Sequence, residues 1–333
     1  MAHVTMRDIG RMAGVSAVTV SKALSGKGGV GEETREKILR LAEELGYVNP
    51  NAGQTKPLRG LDVGILIPDR FFSPDSFYAL FYKELVQALT KAGHFGILEM
   101  LAAEDEAALA LPHLTRAHHV DALILLGQPS SAYRQMIAQQ PLPLVFLDFY
   151  DTAVPVDAVV SDGLSGAACL TAHLIERGHR DIGFVGDVGA TSSIMERYLG
   201  FCAAMTLAGL PIRPECVLRD RDARGAFLPL QLPEKLPTAF VCNCDTVAVW
   251  LIDQLRQQGL RVPEDISVTG YDDFLPGSPA IPALTTFHTD RQAMARIAVQ
   301  LVSGRCSGTD APTGRVVVGG EPVWRESVQT LVP

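Results

Sequence analysis

Two aspartates and one arginine occupy positions where polar binding chemistry is expected. Asp148 directly follows the apolar run Leu144–Leu147, and Asp272 ends the segment that begins with the apolar run at 266–269. Side chains at the carboxyl ends of strands project into a cleft, where an ionised carboxylate can accept paired hydrogen bonds from vicinal hydroxyls. Arg197 adds a planar fork of donors. The alternative is structural: each aspartate caps the next loop or helix, and Arg197 pairs with a carboxylate.

The elements that must position these residues begin at Leu61. Short apolar runs alternate with amphipathic segments, which is the pattern of repeated β-α units. We predict strands at 63–67, 95–101, 122–126, 144–147, 158–160, 182–185, 239–242 and 266–269. We predict helices at 77–92, 104–117, 131–139, 163–177, 193–209, 246–258 and 290–303. The pattern indicates two doubly wound α/β lobes that face each other across a cleft.

The N-terminal end carries a different pattern, that of short helices meeting at a sharp turn. Thr5 can cap the first helix, and Ile9, Met12 and Ala13 form its apolar face. Gly14 then ends this helix. A third amphipathic helix, with apolar residues at 38, 41, 42 and 45, completes a small three-helix core.

The second helix, at about residues 17–24, has the form of a helix that reads DNA. Ser16 caps it, Val20 and Leu24 can pack inward, and small or polar side chains face outward, so the helix fits a major groove. The basic residues are assigned to phosphates, with Lys22 on a phosphate or a base edge. Each basic residue alone could equally be a solvated surface charge. We expect DNA contacts from Thr5, Arg7, Ser16, Ala17, Val18, Thr19, Ser21, Lys22, Lys27 and Arg35.

Charge also separates the two ends of the chain. Residues 1–60 carry nine Lys or Arg and six Asp or Glu, a net charge of +3, whereas the whole chain carries −8 at pH 7. The rest of the chain therefore carries −11 and is repelled by phosphate, so nucleic-acid contact is expected only at the basic end. The glycine-rich segment at 27–34 lacks the Gly-Lys-Ser/Thr ending of a phosphate-binding loop, and we interpret it as a turn.

Length and composition are those of a soluble protein with two or three domains. The chain has 333 residues, 47% of them hydrophobic, and no stretch approaches the roughly 18 consecutive apolar residues of a membrane helix. We predict a cytoplasmic protein with no membrane partner. The six cysteines show no Cys-x-x-Cys spacing, so we predict free thiols, no metal ligands and no cofactor. The predicted domains are 1–46, a linker at 47–60 with two prolines and two glycines, and 61–333.

Several motifs, in order along the chain, resemble the lactose-repressor (LacI) family of bacterial transcription regulators. Near the N-terminus they are Asp8-Ile9, Ala13-Gly14-Val15-Ser16, Thr19-Val20-Ser21-Lys22 and Leu45-Gly46-Tyr47. Further along they include Phe146-Leu147-Asp148, Arg197-Tyr198-Leu199-Gly200-Phe201 and Gly270-Tyr271-Asp272-Asp273-Phe274. The resemblance implies an N-terminal all-α helix-turn-helix headpiece and an α/β two-lobed core like that of a periplasmic sugar-binding protein.

The resemblance also implies a function. It is that of a sequence-specific regulator, most often a repressor, which binds a pseudo-palindromic double-stranded DNA operator as a homodimer. A small polar effector, with a saccharide the first expectation, would bind between the lobes and control it.

Site residues carry over one by one. Asp148, Arg197 and Asp272 fall on positions that hydrogen-bond a sugar in this family, and Phe77 or Tyr78 falls near a stacking position. Cys244 stands where the family often has an asparagine, whose amide a thiol cannot replace. Leu58 stands for a leucine that wedges into the minor groove, although Gly53 and Pro57 disfavour a helix in this linker.

Two other classes of function are disfavoured by the sequence. The chain has no Gly-x-Ser-x-Gly elbow, no Gly-x-Gly-x-x-Gly turn after a strand and no His-Glu-x-x-His helix, so we predict no catalytic residues. A transport receptor with the same lobes would need a secretion signal and no DNA-binding headpiece. A leucine heptad tail is also absent, so a coiled-coil tetramer is not predicted.

Overall fold

The computed structural model describes residues 6–24, 31–44, 60–116, 119–222, 225–274 and 283–331. Contacts between residues divide the chain into two units, Met1–Arg59 and Gly60–Pro333. Some of the predictions concern residues or side chains outside this description. They are those on Thr5, on residues 25–30 with Lys27, on residues 45–59 with Leu58, and on the side chains of Arg7, Val18, Ser21 and Leu24.

The first unit contains three helices, α1 (Met6–Ala13), α2 (Ala17–Leu24) and α3 (Glu32–Glu44). Gly14 directly follows α1, and its φ of +75° is a conformation that glycine adopts without strain. The Ser16 hydroxyl accepts a hydrogen bond of 3.1 Å from the backbone N–H of Thr19 and so caps α2, as the sequence predicts.

The core of this unit is small and is formed by all three helices. Ile9, Val20 and Ile38 are fully buried, and alanines 13, 23 and 42 pack around them. The prediction that Met12 belongs to this apolar face is wrong, because Met12 is 56% exposed. Only the stripe of residues four apart on α1 faces the core, and Met12 lies to one side of it.

The first lobe of the second unit is built on a six-stranded parallel sheet with strand order β11-β5-β4-β3-β1-β2. Its strands are β1 (Asp62–Pro68), β2 (Phe95–Leu101), β3 (Ala122–Leu126), β4 (Leu144–Leu147), β5 (Asp157–Ser161) and β11 (Arg315–Val318). Its helices are α4 (Phe77–Lys91), α5 (Ala103–Ala107), α6 (His113–Arg116), α7 (Ser131–Ala138) and α11 (Arg291–Cys306). Helices α4 and α11 cover one face of the sheet, and α7 covers the other.

The second lobe is built on a four-stranded parallel sheet with strand order β7-β6-β8-β9. Its strands are β6 (Ile182–Val185), β7 (Val217–Leu218), β8 (Ala239–Cys242) and β9 (Ser267–Thr269), with an antiparallel pair of β10 (Thr286–Thr289) and β12 (Gly320–Val323). Its helices are α8 (Gly163–Glu176), α9 (Ser192–Leu207) and α10 (Asp245–Gln257). Helices α8 and α9 touch closely at Gly200, where a β-carbon would lie 2.2 Å from the carbonyl oxygen of Leu164.

The chain crosses between the two lobes at three places, between β5 and α8, between β10 and α11, and between β11 and β12. Two of the crossings continue directly into helices. Asp162 caps α8 by accepting a 2.9 Å hydrogen bond from the Ser165 N–H, and Asp290 caps α11 through the Ala293 N–H at 2.8 Å. The parallel pairing of β5 with β11 brings two crossings to the same edge of the first sheet.

Most of the predicted strands and helices occur within a few residues of their expected bounds, but one helix does not. The helix predicted at 104–117 is two short helices, α5 and α6, because Leu109 has a φ of +53° and Pro112 cannot continue a helical hydrogen-bond ladder. The sequence analysis also missed β7, β10, β11 and β12. These strands have two to four residues, too few to show a clear period.

Among the described residues, no helix combines the length and the apolar character that a membrane crossing requires. The same part of the chain holds no group of three or more His, Cys, Asp or Glu side chains able to bind a metal ion.

Candidate functional site

A cavity of about 480 Å³ lies between the two lobes, in the size range of small-molecule sites. Its wall contains every residue that the sequence analysis proposed for effector binding. The first lobe contributes Phe77, Tyr78 and Asp148, and the second contributes Arg197, Cys244 and Asp272. These residues are as much as 195 positions apart in the chain, and the fold brings them together.

Ends of helices and strands position these side chains. Phe77 and Tyr78 begin α4, which the Ser76 hydroxyl caps by accepting a 3.1 Å hydrogen bond from the Ala79 N–H. Asp148 directly follows β4, and Arg197 lies in the second turn of α9. Cys244 precedes α10, and Asp272 lies three residues after β9. The cavity therefore lies where the carboxyl ends of both parallel sheets meet.

A buried ion pair forms the polar centre of the cavity. Arg197 Nη2 donates to Asp272 Oδ1 at 2.9 Å, and both side chains are less than 10% exposed. Arg197 Nη1 donates to the carbonyl oxygen of Asn243, and the guanidinium carbon lies 3.9 Å from the centre of the Tyr271 ring. Although burial disfavours its charge, the nearby carboxylates hold the pKa of Arg197 above its ordinary value. The guanidinium is therefore charged and fixed in orientation.

Asp148 comes from the other lobe, and its surroundings disfavour the charged form of its carboxyl group. It is 5% exposed, and its Oδ2 accepts a 2.7 Å hydrogen bond from the Tyr78 hydroxyl. Burial raises the pKa of the Asp148 carboxyl to about 6, against the opposing effect of Arg197. Burial and the Asp148 carboxylate also raise the pKa of Tyr78 well above its ordinary value, so this phenol stays a donor.

Asp148 and Arg197 each have one buried polar atom without a hydrogen-bond partner among the described residues. Within the described part of the chain, Asp148 Oδ1 and Arg197 Nε are buried and make no hydrogen bond. A buried, unpaired polar atom costs about 1–3 kcal/mol, and more when it is charged. Both atoms belong to residues that line the cavity, so a water molecule or a ligand with hydroxyl groups can form the missing hydrogen bonds there.

The backbone at both aspartates is in an uncommon conformation. Asp148 has a φ of +71° and Asp272 a φ of +102°, in the left-handed region that favours glycine. Holding a residue other than glycine there costs on the order of 1–3 kcal/mol, and such residues cluster at ligand sites. Neither aspartate is the N-cap of a helix whose cap the structure describes. Arg197 does pair with a carboxylate, as the structural alternative expects.

Cys244 lines the cavity at the position where the sequence analysis notes that the family often has an asparagine, and the neighbouring Asn243 does not take over that role. Asn243 is buried and serves the protein itself, since its amide donates to the carbonyl oxygen of Val185 and to Asp220. Burial raises the pKa of the Cys244 thiol to about 12, so the thiol is neutral. Cys244 thus offers the cavity a soft and weakly polar surface.

Several lining residues were missed by the sequence analysis. They are mostly aromatic or basic and include Arg70, Phe71, Phe72, Arg221, Phe227, Trp250 and Phe274. Phe227 and Trp250 meet edge to face, with ring centres 4.5 Å apart, and both are about two-fifths exposed. A half-exposed tryptophan on the amphipathic helix α10 was the available signal, whereas Phe227 lies in a segment without any period.

In the first unit, the predicted DNA-contacting residues that are described lie on two helices. Ser16, Ala17, Thr19 and Lys22 lie at the start of α2 or on it, and Arg35 lies on α3. Lys22 is exposed, whereas Ala17 and Thr19 are half-buried. The hydroxyl oxygens of Ser16 and Thr19 are 2.9 Å apart, so these two side chains also fix the start of the helix.

The comparisons with known proteins agree with this architecture. Residues 5–51 match the family described as bacterial regulatory proteins, lacI family, and residues 171–328 match the periplasmic binding protein-like domain. The chain belongs to the lacI family. It is therefore a DNA-binding transcriptional regulator with a periplasmic-binding-like core, and the fold class expected from the sequence is confirmed.

Relatives of this lacI-family chain align over almost its whole length. It is 28% identical to the ribose operon repressor of Haemophilus influenzae, over 98% of this chain and 99% of that protein. It is 29% identical to the transcriptional repressor PurR of the same species, with the same coverage. Among solved structures, the complex of the transcriptional regulator CelR with cellobiose is 25% identical, with a TM-score of 0.69 over 98% of this chain and 100% of that one.

The Arg197–Asp272 pair generates a stability prediction. Breaking a buried ion pair leaves an uncompensated charge, so Arg197→Met and Asp272→Asn should each lower the free energy of unfolding by about 3–5 kcal/mol. The double variant should lose much less than the sum of the two. Urea unfolding of the full chain, followed by circular dichroism, measures this coupling.

A matched control is the exposed pair of Arg261 and Asp265, whose side chains are 68% and 33% exposed. Arg261→Met should change the free energy of unfolding by less than about 1 kcal/mol. Strict additivity of the two buried substitutions would contradict the coupling.

Proposed function

We propose that this lacI-family regulator is a homodimeric repressor whose affinity for operator DNA is controlled by a neutral saccharide bound in the cavity between its lobes. One observation carries the choice of ligand. Donors and acceptors from both lobes, with Asp148, Arg197 and Asp272 at the centre, converge inside a cavity that also has aromatic walls. Saccharides present hydroxyls that pair with such groups and C–H faces that pack on aromatic rings.

The relatives support this ligand class without fixing the ligand. A ribose operon repressor is among the relatives, and a solved complex of a related regulator holds cellobiose. Transcriptional repressors named PurR are also among the relatives, and this name specifies no sugar, so a ligand screen should include other small molecules as well. We expect no catalysis by this chain, and its cytoplasmic location stays a prediction.

The mechanism that we propose is thermodynamic linkage. A saccharide that touches both lobes favours the lobe arrangement in which all its contacts form. Its effect on operator affinity is limited to its difference in affinity for the two arrangements. Two headpieces on a two-fold axis would contact the two half-sites of a pseudo-palindrome.

DNA recognition by α2 can be tested in the headpiece. Lys22 is exposed on α2, and we expect Lys22→Ala to weaken operator binding by about 1–3 kcal/mol and to change which bases are preferred if it contacts a base edge. Selection from a random double-stranded library, followed by gel-shift titration across salt concentrations, measures both effects.

The matched control is Arg40→Ala, which removes an exposed positive charge from α3 instead. It should leave base preference unchanged and have the smaller effect on affinity. Equal losses in both variants, with no change of preference, would contradict the placement of α2 in the groove.

The Asp148 carboxyl makes saccharide binding depend on pH. Its pKa of about 6 is that of the protein without ligand, and hydroxyl donors favour the ionised form. Affinity should therefore rise as pH increases from 5 to 7 and then level off, by up to roughly tenfold. Tyr78 and Cys244 stay protonated over this range because burial raises the pKa of both.

Calorimetric titration measures this with the neutral saccharide that most raises Tm in a panel. Asp148→Asn should bind more weakly at pH 7 and show little dependence on pH. Affinity that falls as pH rises would mean that a protonated Asp148 donates to the ligand, and the assigned role would be wrong.

A further inference from the structure

A second cavity, of about 970 Å³, lies beside the first and is also lined by both lobes. Five residues belong to the walls of both cavities, which makes the two spaces neighbours along one cleft. They are Arg70, Phe71, Thr191, Arg221 and Gly225. The first cavity is the more apolar and holds the buried ion pair, whereas the second is larger and is lined mostly by polar and charged residues.

Two arginines stand at the junction of the cavities, and both are held firmly. Arg221 donates to Asp220 through both Nε and Nη2, at 3.1 and 2.7 Å, and its guanidinium carbon lies 4.9 Å from the centre of the Phe227 ring. Arg70 pairs with Glu106 at 2.5 Å and also donates to the carbonyl oxygen of Gln128 at 3.1 Å. The junction is therefore formed by oriented polar groups rather than by loose surface chains.

The charges of the second cavity balance. Its described wall holds the arginines Arg70, Arg134, Arg219 and Arg221 and the carboxylates Glu104, Glu106, Asp187 and Asp222. Every one of the four arginines forms an ion pair, with Glu106, Asp151, Asp187 and Asp220 respectively. A phosphate or carboxylate ligand would meet the four carboxylates of this wall as well as the four arginines, whereas a neutral ligand with many hydroxyls can bind beside all of them.

We infer that the effector is longer than one sugar unit, with one unit in the first cavity and a neutral second unit passing Arg70 and Arg221 into the second cavity. This rests on the proposed function, since it specifies the saccharide that the same cleft binds. It assigns the second cavity the selection of chain length, and it assigns Arg70 and Arg221 contacts with the oxygens near the bond between the two units.

Gly189 allows the second cavity to be filled without disturbing the first. It is exposed, lines only the second cavity, and a β-carbon built there meets no atom within 4 Å. Gly189→Trp therefore introduces bulk into the second cavity alone. Ala107→Trp does the same from the opposite lobe, since Ala107 is exposed at the end of α5. Gly314→Trp is the matched control, because Gly314 has equal free space and lines neither cavity.

The test compares monosaccharides with disaccharides that contain them, on the full chain, by calorimetric titration. The probes are glucose, galactose and xylose, set against cellobiose, maltose, lactose and xylobiose, with glucose 6-phosphate as the anionic probe. We expect at least one disaccharide to bind about tenfold or more tightly than its parent monosaccharide, and glucose 6-phosphate to bind no more tightly than glucose. Gly189→Trp and Ala107→Trp should abolish the disaccharide advantage and leave the Kd of the monosaccharide unchanged, whereas Gly314→Trp should change neither.

The possible failures are distinguishable. A monosaccharide that binds as tightly as its disaccharides overturns the inference and leaves the proposed function intact. A disaccharide advantage that survives both tryptophan substitutions in the second cavity also overturns it. Failure of every neutral saccharide in the panel to bind contradicts the proposed ligand class, and the inference with it.

Discussion

The burial of charge between the two lobes is the constraint on which the rest of this site depends. Arg197, Asp148 and Asp272 are each at most 6% exposed, and two of them come from one lobe and one from the other. Burying charged groups is expensive unless their partners are complete, and here they are not: Asp148 Oδ1 and Arg197 Nε lack hydrogen bonds within the described structure. The protein maintains this arrangement together with positive φ angles at both aspartates. Such a combination is typical of a site built for a ligand rather than for stability.

The topology links ligand binding at this site to the arrangement of the two lobes. Because all strands of both main sheets are parallel, their carboxyl ends meet at the cleft, and the crossings between lobes are confined to three short segments. Two of those segments lead into α8 and α11, whose first turns are capped by Asp162 and Asp290, so both helices begin in a fixed direction. A ligand that completes the hydrogen bonds of both lobes then shifts the balance between lobe arrangements by its difference in affinity for them. One bound ligand can therefore change the arrangement of the whole two-lobed core.

Sequence reasoning found the helices of the headpiece, the β-α alternation and six of the residues that line the first cavity, for different physical reasons. Local signals suffice for Ser16, whose hydroxyl caps α2, and for buried strands such as Ala122–Leu126, which are continuous apolar runs. Asp148 and Asp272 were found because they follow strands. By contrast, Met12 was misplaced because an apolar residue on a short helix does not reveal how narrow the core is. Arg221, Phe227 and the second cavity depend on contacts between distant segments with no period, and only the folded chain brings them together.

The central claim is that the cavity between the lobes and operator DNA are coupled in one chain. The most direct measurement is a reciprocal one on the full chain, in which operator affinity is titrated with and without saturating saccharide, and saccharide affinity with and without saturating operator. The account predicts that the two affinities change by the same factor, within the range of about 5–150-fold that is typical of such coupling. A saccharide that binds in the cavity but leaves operator affinity unchanged would contradict it.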